Sequence, residues 1–201
     1  MIMHVKQWGV TLAALAGLFW MTACVNLDPR PDSTRFFVLG SDASAAAAGE
    51  GGSGFYVGRP EIPVYLKSEK MLYRTASGEV RPVGGHRWAE PLDQGIARAL
   101  AEALAAQSGT ASAGFYPWAK PAPETATLRL QVREFGGDGD GSIVFDAAWE
   151  LQDPARSAPL RGDFRAQIEA WKVGSPDGLV AGMNELIARL ALEIAAKTDA
   201  H

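Results

Sequence analysis

The sequence has little of what catalytic and metal sites are built from. It holds one cysteine and three histidines. His4 lies in the N-terminal segment and His201 is the last residue, which leaves His86, and a single histidine cannot build a histidine-based metal site. A nucleophile elbow, a P-loop and a dinucleotide fingerprint are also lacking. These absences predict a protein that is not an enzyme and that holds no cofactor and no metal ion.

Basic runs and long apolar runs are lacking as well. The formal net charge is −4, and a weakly acidic chain without a basic stretch is a poor partner for nucleic acid. The apolar run from Val10 to Ala23 is shorter than the roughly 20 residues that cross a bilayer as a helix. Preceded by the positive Lys6, it is typical of a secretory signal peptide over residues 1–23.

The one cysteine, Cys24, directly follows the small residues Thr22 and Ala23, and within this chain it has no disulfide partner. Met21-Thr22-Ala23-Cys24 resembles a bacterial lipobox, in which leucine is commonest where Met21 stands. The resemblance implies cleavage between Ala23 and Cys24 and three acyl chains, such as palmitate, on Cys24. Val25 replaces the aspartate that favours inner-membrane retention, which predicts the outer membrane. The alternative is an ordinary signal peptide with an incidental cysteine.

The rest of the chain reads as one domain with flexible additions. Residues 24–35 are a tether stiffened by Pro29 and Pro31, and the alanine- and glycine-rich residues 41–54 are a flexible loop. The folded domain is predicted over residues 36–197 and a tail over 198–201.

Hydrophobic periodicity predicts an α+β two-layer sandwich, a mostly antiparallel sheet with two helices packed on one face. Strands are expected at 36–40, 57–66, 71–75, 79–83, 127–135, 142–152 and 161–170, and helices from Leu92 to Gly109 and from Pro176 to Lys197. Trp149 lies on an apolar strand face and is expected in the core. Trp88 and Trp118 lie in connections and are predicted to wedge helix against sheet, with an aromatic patch for a protein partner as the alternative.

Several segments occur here in an order typical of one family: "FFVLG", "IPVYLKSEKMLYR", "RWAEPLDQGIARALAEAL", "YPW" and "VREFGGDGDGSIVFDAAWEL". Together, over residues 36 to 195, they resemble the ABC-type transport auxiliary lipoprotein family, also called PqiC-like or YmbA-like. The resemblance implies a lipoprotein of the outer membrane that faces the periplasm. It further implies a docking role beside an MCE-domain protein and inner-membrane transporter components, with self-association into a ring by analogy.

The family motif maps onto Arg87, Trp88, Ala89, Glu90, Pro91 and Leu92. Two roles are open for it, a contact with a partner or a brace for the first helix, and Arg87 is expected to pair with Glu90 within the turn. A second candidate surface is the strand 57–66, which Pro60 and Pro63 push toward a sheet edge. A partner segment that adds to this edge would contact Ile62 and Val64.

Two other functions compete with docking in lipid transport. A lipoprotein scaffold of another envelope machine, such as lipopolysaccharide export, would copurify with different partners. A direct lipid carrier needs an apolar pocket of some hundreds of Å³, whereas the apolar residues of this chain are already assigned to two helix stripes and one sheet face.

Overall fold

The computed structural model describes most of the predicted domain, namely residues 33–40, 55–108, 114–118, 120–169 and 171–199. The predicted signal peptide, Cys24, the loop 41–54 and all but the end of the tether lie outside the described residues. Their assignments therefore stay predictions from the sequence.

Strands and helices alternate along the described chain much as the periodicity predicts. In chain order they are β1 (Phe36–Phe37), β2 (Phe55–Val57), a 3₁₀ helix (Val64–Lys67), β3 (Lys70–Arg74), β4 (Val80–Trp88), α1 (Leu92–Ser108), β5 (Ala126–Asp138), β6 (Ser142–Gln152), β7 (Leu160–Glu169) and α2 (Pro176–Asp199). The α+β class and both helices are confirmed, and α2 begins at the predicted proline.

The seven strands in the described residues form one sheet. Its order is β1-β4-β3-β5-β6-β7, and β2 pairs with the beginning of β5. The long neighbours β5–β6 and β6–β7 are antiparallel, as is the β3–β4 hairpin. The shorter pairings β1–β4, β2–β5 and β3–β5 are parallel. The sheet is therefore mixed, with its longest ladders antiparallel as the period-two pattern predicts.

The core lies between the two helices and one face of the sheet. Residues four apart in α1 (Leu92, Ile96, Leu100, Leu104) are buried, as is the α2 stripe of Leu179, Met183, Leu186, Ile187, Leu190 and Ile194. On the sheet, Phe145 of β6 contacts Phe135 of β5 and Phe164 of β7, with ring centroids 4.3 and 5.5 Å apart. Trp149 is buried on the same strand face as expected. Packing of alternate strand residues against two apolar helix stripes accounts for the two-layer arrangement.

The predicted strand 57–66 is wrong beyond Val57. Gly58 and Glu61 still donate backbone hydrogen bonds to the carbonyls of Leu128 and Leu130 in β5. Pro60 and Pro63 have no N–H group to continue a ladder, and the chain turns into the 3₁₀ helix directly after Pro63.

This turn changes the surroundings of the two residues proposed for a partner edge. Ile62 is buried in the core, whereas Val64 is 82% exposed on the 3₁₀ helix. The two side chains therefore do not form one continuous strand edge. Of the two, only Val64 is still a predicted contact for a partner.

Replacing Gly137 by alanine is expected to destabilise the fold by about 1–3 kcal/mol, the usual cost of overpacking a filled core. A methyl group there would lie 2.5 Å from the indole of Trp171. That ring has little freedom to move, because its Nε1 donates to the Ser175 carbonyl at 2.7 Å and its edge contacts Tyr73. Urea unfolding measures the loss.

Gly85→Ala is the matched control for this substitution. Gly85 also lies in a strand, but the nearest atom to an added methyl group is the Thr34 hydroxyl at an ordinary 3.7 Å. Its free energy of unfolding should change by less than about 0.5 kcal/mol. Equal losses in the two variants would show that Trp171 does not limit the space at Gly137.

Candidate docking surfaces and the family motif

The backbone of the family motif lies between two strands. Arg87 and Trp88 end β4 and pair in parallel with Phe36 and Phe37 of β1. On the other side, the Trp88 amide donates to the Glu69 carbonyl at 2.8 Å. The motif thus holds the first strand of the domain, the strand that follows the predicted tether, against the rest of the sheet.

The motif side chains extend this contact into the core. Trp88 and Leu92 are buried, and both line a small gap together with Leu66, Leu72, Phe135 and Met183. Glu90 accepts a hydrogen bond from Arg98 of α1 at 2.6 Å. Trp88 is therefore the structural wedge predicted from its position before the first helix.

Arg98 joins the motif to the N-terminal strand. Its guanidinium donates to Glu90, to Glu102 and to the backbone carbonyl of Leu39, the last at 2.6 Å. The predicted Arg87–Glu90 pair is wrong: Glu90 pairs with Arg98, and Arg87 pairs with the exposed Glu69 at 3.2 Å. The reason is geometric, because Arg87 lies on strand β4 whereas Glu90 lies in the turn leading to α1.

Two further contacts attach the N-terminal strand to α2. Asn184 makes a pair of hydrogen bonds with Gly40, accepting from its amide at 2.9 Å and donating to its carbonyl at 3.0 Å. The two terminal nitrogens of the Arg35 guanidinium donate to the two carboxylate oxygens of Asp177, at 3.0 and 2.7 Å. These hydrogen bonds lower the pKa of the Asp177 carboxyl. The N-terminal strand is therefore attached to both helices as well as to β4.

The face of the sheet opposite the helices carries a second candidate surface. We define the arginine face as Arg129 and Arg133 of β5 and Arg161 and Arg165 of β7. Cross-strand carboxylates bind them: Asp146 accepts from Arg133 and Arg165, and Glu150 accepts from Arg161 at 2.7 Å. Burial raises the pKa of Asp146, but the hydrogen bonds from Arg133 and Arg165 prevail and lower it.

A cleft of about 680 Å³ opens on this face. Its floor includes Gln131 and Ala148, and its rim includes Arg59, Arg129 and Arg161. The small Ala148 side chain leaves room between longer neighbours on β5 and β7. Its walls combine charged side chains with apolar atoms, which suits a polypeptide better than a bare acyl chain.

An aromatic pair borders the same face, and we call Tyr116 and Trp118 the aromatic tip. Arg59 lies over the Tyr116 ring at 5.3 Å and pairs with Asp93 at 2.8 Å. Trp118 is 80% exposed, so its predicted role as a wedge between helix and sheet is wrong. The short segment 114–118 pairs with Val57 through its backbone, which fixes the chain while leaving the indole outside.

Matches to known proteins bear directly on this arrangement. The family described as "ABC-type transport auxiliary lipoprotein component" matches residues 37–195, a span that contains the motif, α1, most of α2 and the arginine face. The chain belongs to this family. It is therefore an auxiliary lipoprotein component of a transport system.

Individual relatives of this auxiliary lipoprotein agree with that assignment. The intermembrane transport lipoprotein PqiC of Escherichia coli is 28% identical over 147 residues, which cover 73% of this chain and 74% of the relative. The PqiC of Shigella flexneri matches over the same length with the same identity.

Solved structures similar to this auxiliary lipoprotein support its fold. A crystal structure of an uncharacterised protein matches with a TM-score of 0.64 at 20% identity, covering 82% of this chain and 97% of that one. A Xanthomonas campestris protein matches with a TM-score of 0.57 at 15% identity, covering 81% of this chain and 92% of that one.

Within the described residues of this auxiliary lipoprotein, neither α1 nor α2 is long and apolar enough to cross a membrane. Across the ranges that the structure describes, three or more histidine, cysteine, aspartate or glutamate side chains nowhere converge in a way that would hold a metal ion.

Sequence reasoning found the family motif but missed what holds it. Arg98 and Asn184 lie on helices and give no sequence signal, since their partners are backbone groups far away in the chain. The alternating arginines of β5 and β7 were visible as a polar strand face. Their cross-strand carboxylates were not, because the pairing register of β6 is needed to place Asp146 and Glu150 between them.

Proposed function

We propose that this protein is an outer-membrane lipoprotein that acts as the non-enzymatic docking component of an MCE-type intermembrane lipid transport system. The likeness to the intermembrane transport lipoprotein PqiC over 147 residues carries the proposal. The lipobox around Cys24 supports the membrane anchor, and Val25 supports the outer membrane. Its partners would be an MCE-domain protein and the inner-membrane components that work with it.

The physical arrangement supports docking rather than transport of lipid through the domain itself. The apolar side chains of both helices and of the inner sheet face are committed to one core. The 680 Å³ cleft on the opposite face has arginine and glutamate in its walls, which would cost free energy against an acyl chain because charged groups are not buried against hydrocarbon.

The motif Arg87 to Leu92 fits a brace better than a partner contact. Its backbone is hydrogen-bonded to β1 and β3, and Trp88 is buried. In this role the motif would transmit the pull of a docked assembly from the folded domain to the anchor. Arg87, Ala89 and Pro91 are its exposed members, and Arg87, the charged one, is the residue that we propose as a contact for a partner.

Affinity purification of the tagged lipoprotein from gently crosslinked membranes tests the proposal. We expect an MCE-domain protein to be recovered and identified by mass spectrometry. Recovery of lipopolysaccharide-export or other envelope machinery instead would replace it with the scaffold function. Phospholipid bound in fixed ratio to the purified protein, without any partner, would replace it with the lipid-carrier function.

A further inference from the structure

The arginines and the carboxylates of the arginine face differ in how far their side chains are exposed to solvent. The side chains of Arg129 and Arg161 are 69% and 70% exposed, whereas that of their shared partner Glu150 is 27% exposed. Asp146, between Arg133 and Arg165, is 12% exposed. Glu150 and Asp146 therefore lie deeper in the network than the arginines that bind them.

This layering makes the outer surface electropositive although the formal charges nearly balance. A ligand approaching from solvent meets the guanidinium groups first, and the field in a concave site is focused by its low-dielectric walls. Two carboxylates, Asp163 and Glu61, are also exposed on this face. They limit where a negative group can bind and favour the rim formed by Arg129 and Arg161.

We propose that the arginine face binds an acidic, extended polypeptide segment of a protein partner, with the aromatic tip as the flanking contact. The inference rests on the proposed docking function and adds the surface and the chemistry of the partner. Carboxylates of such a segment would take the free donors of Arg129 and Arg161, since arginine presents five N–H groups and can bind two carboxylates at once.

The shape of the face favours a polypeptide over a membrane surface. The charged groups line a cleft between the segment 58–61 on one side and β7 on the other. A strand about 5 Å wide fits such a cleft, whereas a bilayer is flat on this scale. The cross-strand ion pairs also hold the arginines in place, which lowers the entropy cost of binding them.

The aromatic tip lies far from the point where the described domain begins. Val57 pairs with both Leu128 and Phe115, so the tip lies beside the beginning of β5. Arg35 is the first residue before β1. When the registers of the β1–β4, β4–β3 and β3–β5 pairs are followed across the sheet, Arg35 lies at the same height along the strand direction as Phe135 of β5. At about 3.3 Å per residue, the two positions are separated by roughly 20–25 Å along the strand direction.

The residue types of this surface are those that dominate protein interfaces. Arg59 lines the cleft and lies over the Tyr116 ring, and Trp118 follows Tyr116 by two residues along the chain. Tryptophan, tyrosine and arginine are the types enriched among residues that contribute most to binding. The indole of Trp118 is 80% exposed and takes no part in the core, which leaves it available to a partner.

A direct binding measurement tests the inference. The probe is a fluorescein-labelled peptide of about ten alternating glutamate and threonine residues, the upper length of a typical strand. The full lipoprotein in uncharged detergent is titrated into it, and the anisotropy is followed at low and high salt. We expect binding that weakens with salt, because the contacts are partly exposed ion pairs.

The variant Arg129→Glu/Arg161→Glu is expected to weaken this binding by about tenfold or more. A second variant, Arg129→Gln/Arg161→Gln, removes the charges without creating repulsion toward Glu150 and should show a smaller loss. Arg189→Glu is the matched control: it reverses an exposed arginine on α2 that pairs with Glu185 and should bind like the wild type. Circular dichroism confirms that all three variants fold.

Three outcomes would overturn the inference. One is no peptide binding by the wild type, and another is an equal loss in Arg189→Glu. In the third, the variant Arg129→Glu/Arg161→Glu loses binding to phosphatidylglycerol vesicles but still binds the peptide. That result would assign the face to a membrane surface.

Partner recovery separates this inference from the proposed function. If wild type and double reversal both recover the MCE-domain protein, the inference fails and the docking function stands. If the wild type recovers no such protein, the docking function fails whatever the peptide does.

Discussion

Replacing Cys24 by serine is expected to move nearly all of the protein from the membrane fraction to the soluble periplasmic fraction. Each buried CH₂ group of an acyl chain contributes about 0.8 kcal/mol of membrane affinity, so three chains on one residue make attachment effectively permanent. Serine is close in shape to cysteine but offers no thiol for the lipid. Fractionation followed by an alkaline wash, which strips peripheral proteins, measures the change.

Met21→Leu is the control for this substitution. It restores the residue that is commonest in the lipobox and leaves Cys24 in place, so the protein should stay in the membrane fraction. A Cys24→Ser protein that survives the alkaline wash in the membrane would show that Cys24 is not the anchor. Mass spectrometry of the mature N-terminus would then locate the true cleavage site.

Replacing Trp88 by alanine is expected to lower the free energy of unfolding by about 3–5 kcal/mol, the usual cost of deleting a buried aromatic side chain. Trp88 packs between Leu66, Leu92 and Met183, under the strand that leads to the tether. Small domains are stable by about 5–15 kcal/mol in total. The loss should therefore appear in urea unfolding and as earlier proteolysis at the N-terminal strand.

Arg87→Ala is the matched control from the same motif. Arg87 forms an exposed ion pair with Glu69, and such pairs contribute about 0.2–1 kcal/mol. The variant should therefore unfold at nearly the same urea concentration as the wild type. If Arg87→Ala lost partner recovery while keeping its stability, the motif would serve as contact and brace together. A loss below about 1 kcal/mol for Trp88→Ala would contradict the brace.

The periodic parts of the chain were predictable because their reasons are local. An apolar residue at every fourth position from Leu92 to Leu104 has one low-energy arrangement, a helix with a buried stripe. The alternation of apolar and polar residues in β5, β6 and β7 likewise has one low-energy arrangement, a sheet with a single apolar face. Both predictions agree with the burial of these side chains.

The errors lie where a distant contact decides the outcome. Trp118 follows a segment whose backbone pairs with Val57, and that pairing leaves its indole exposed. Glu90 is drawn to Arg98, which also binds the Leu39 carbonyl. Sequence spacing contains no information about these partners, because they meet only after the sheet and helices pack.

By itself the sequence determined the fold class, the family motif and a predicted anchor at Cys24. Each depends on residues close together in the chain, so the pattern carries the information directly. Only the tertiary structure decided that Trp88 of the motif is buried and that arginines from β5 and β7 share carboxylates of β6. Register, burial depth and chain crossing set those contacts, and these properties arise only when segments far apart in sequence are packed together.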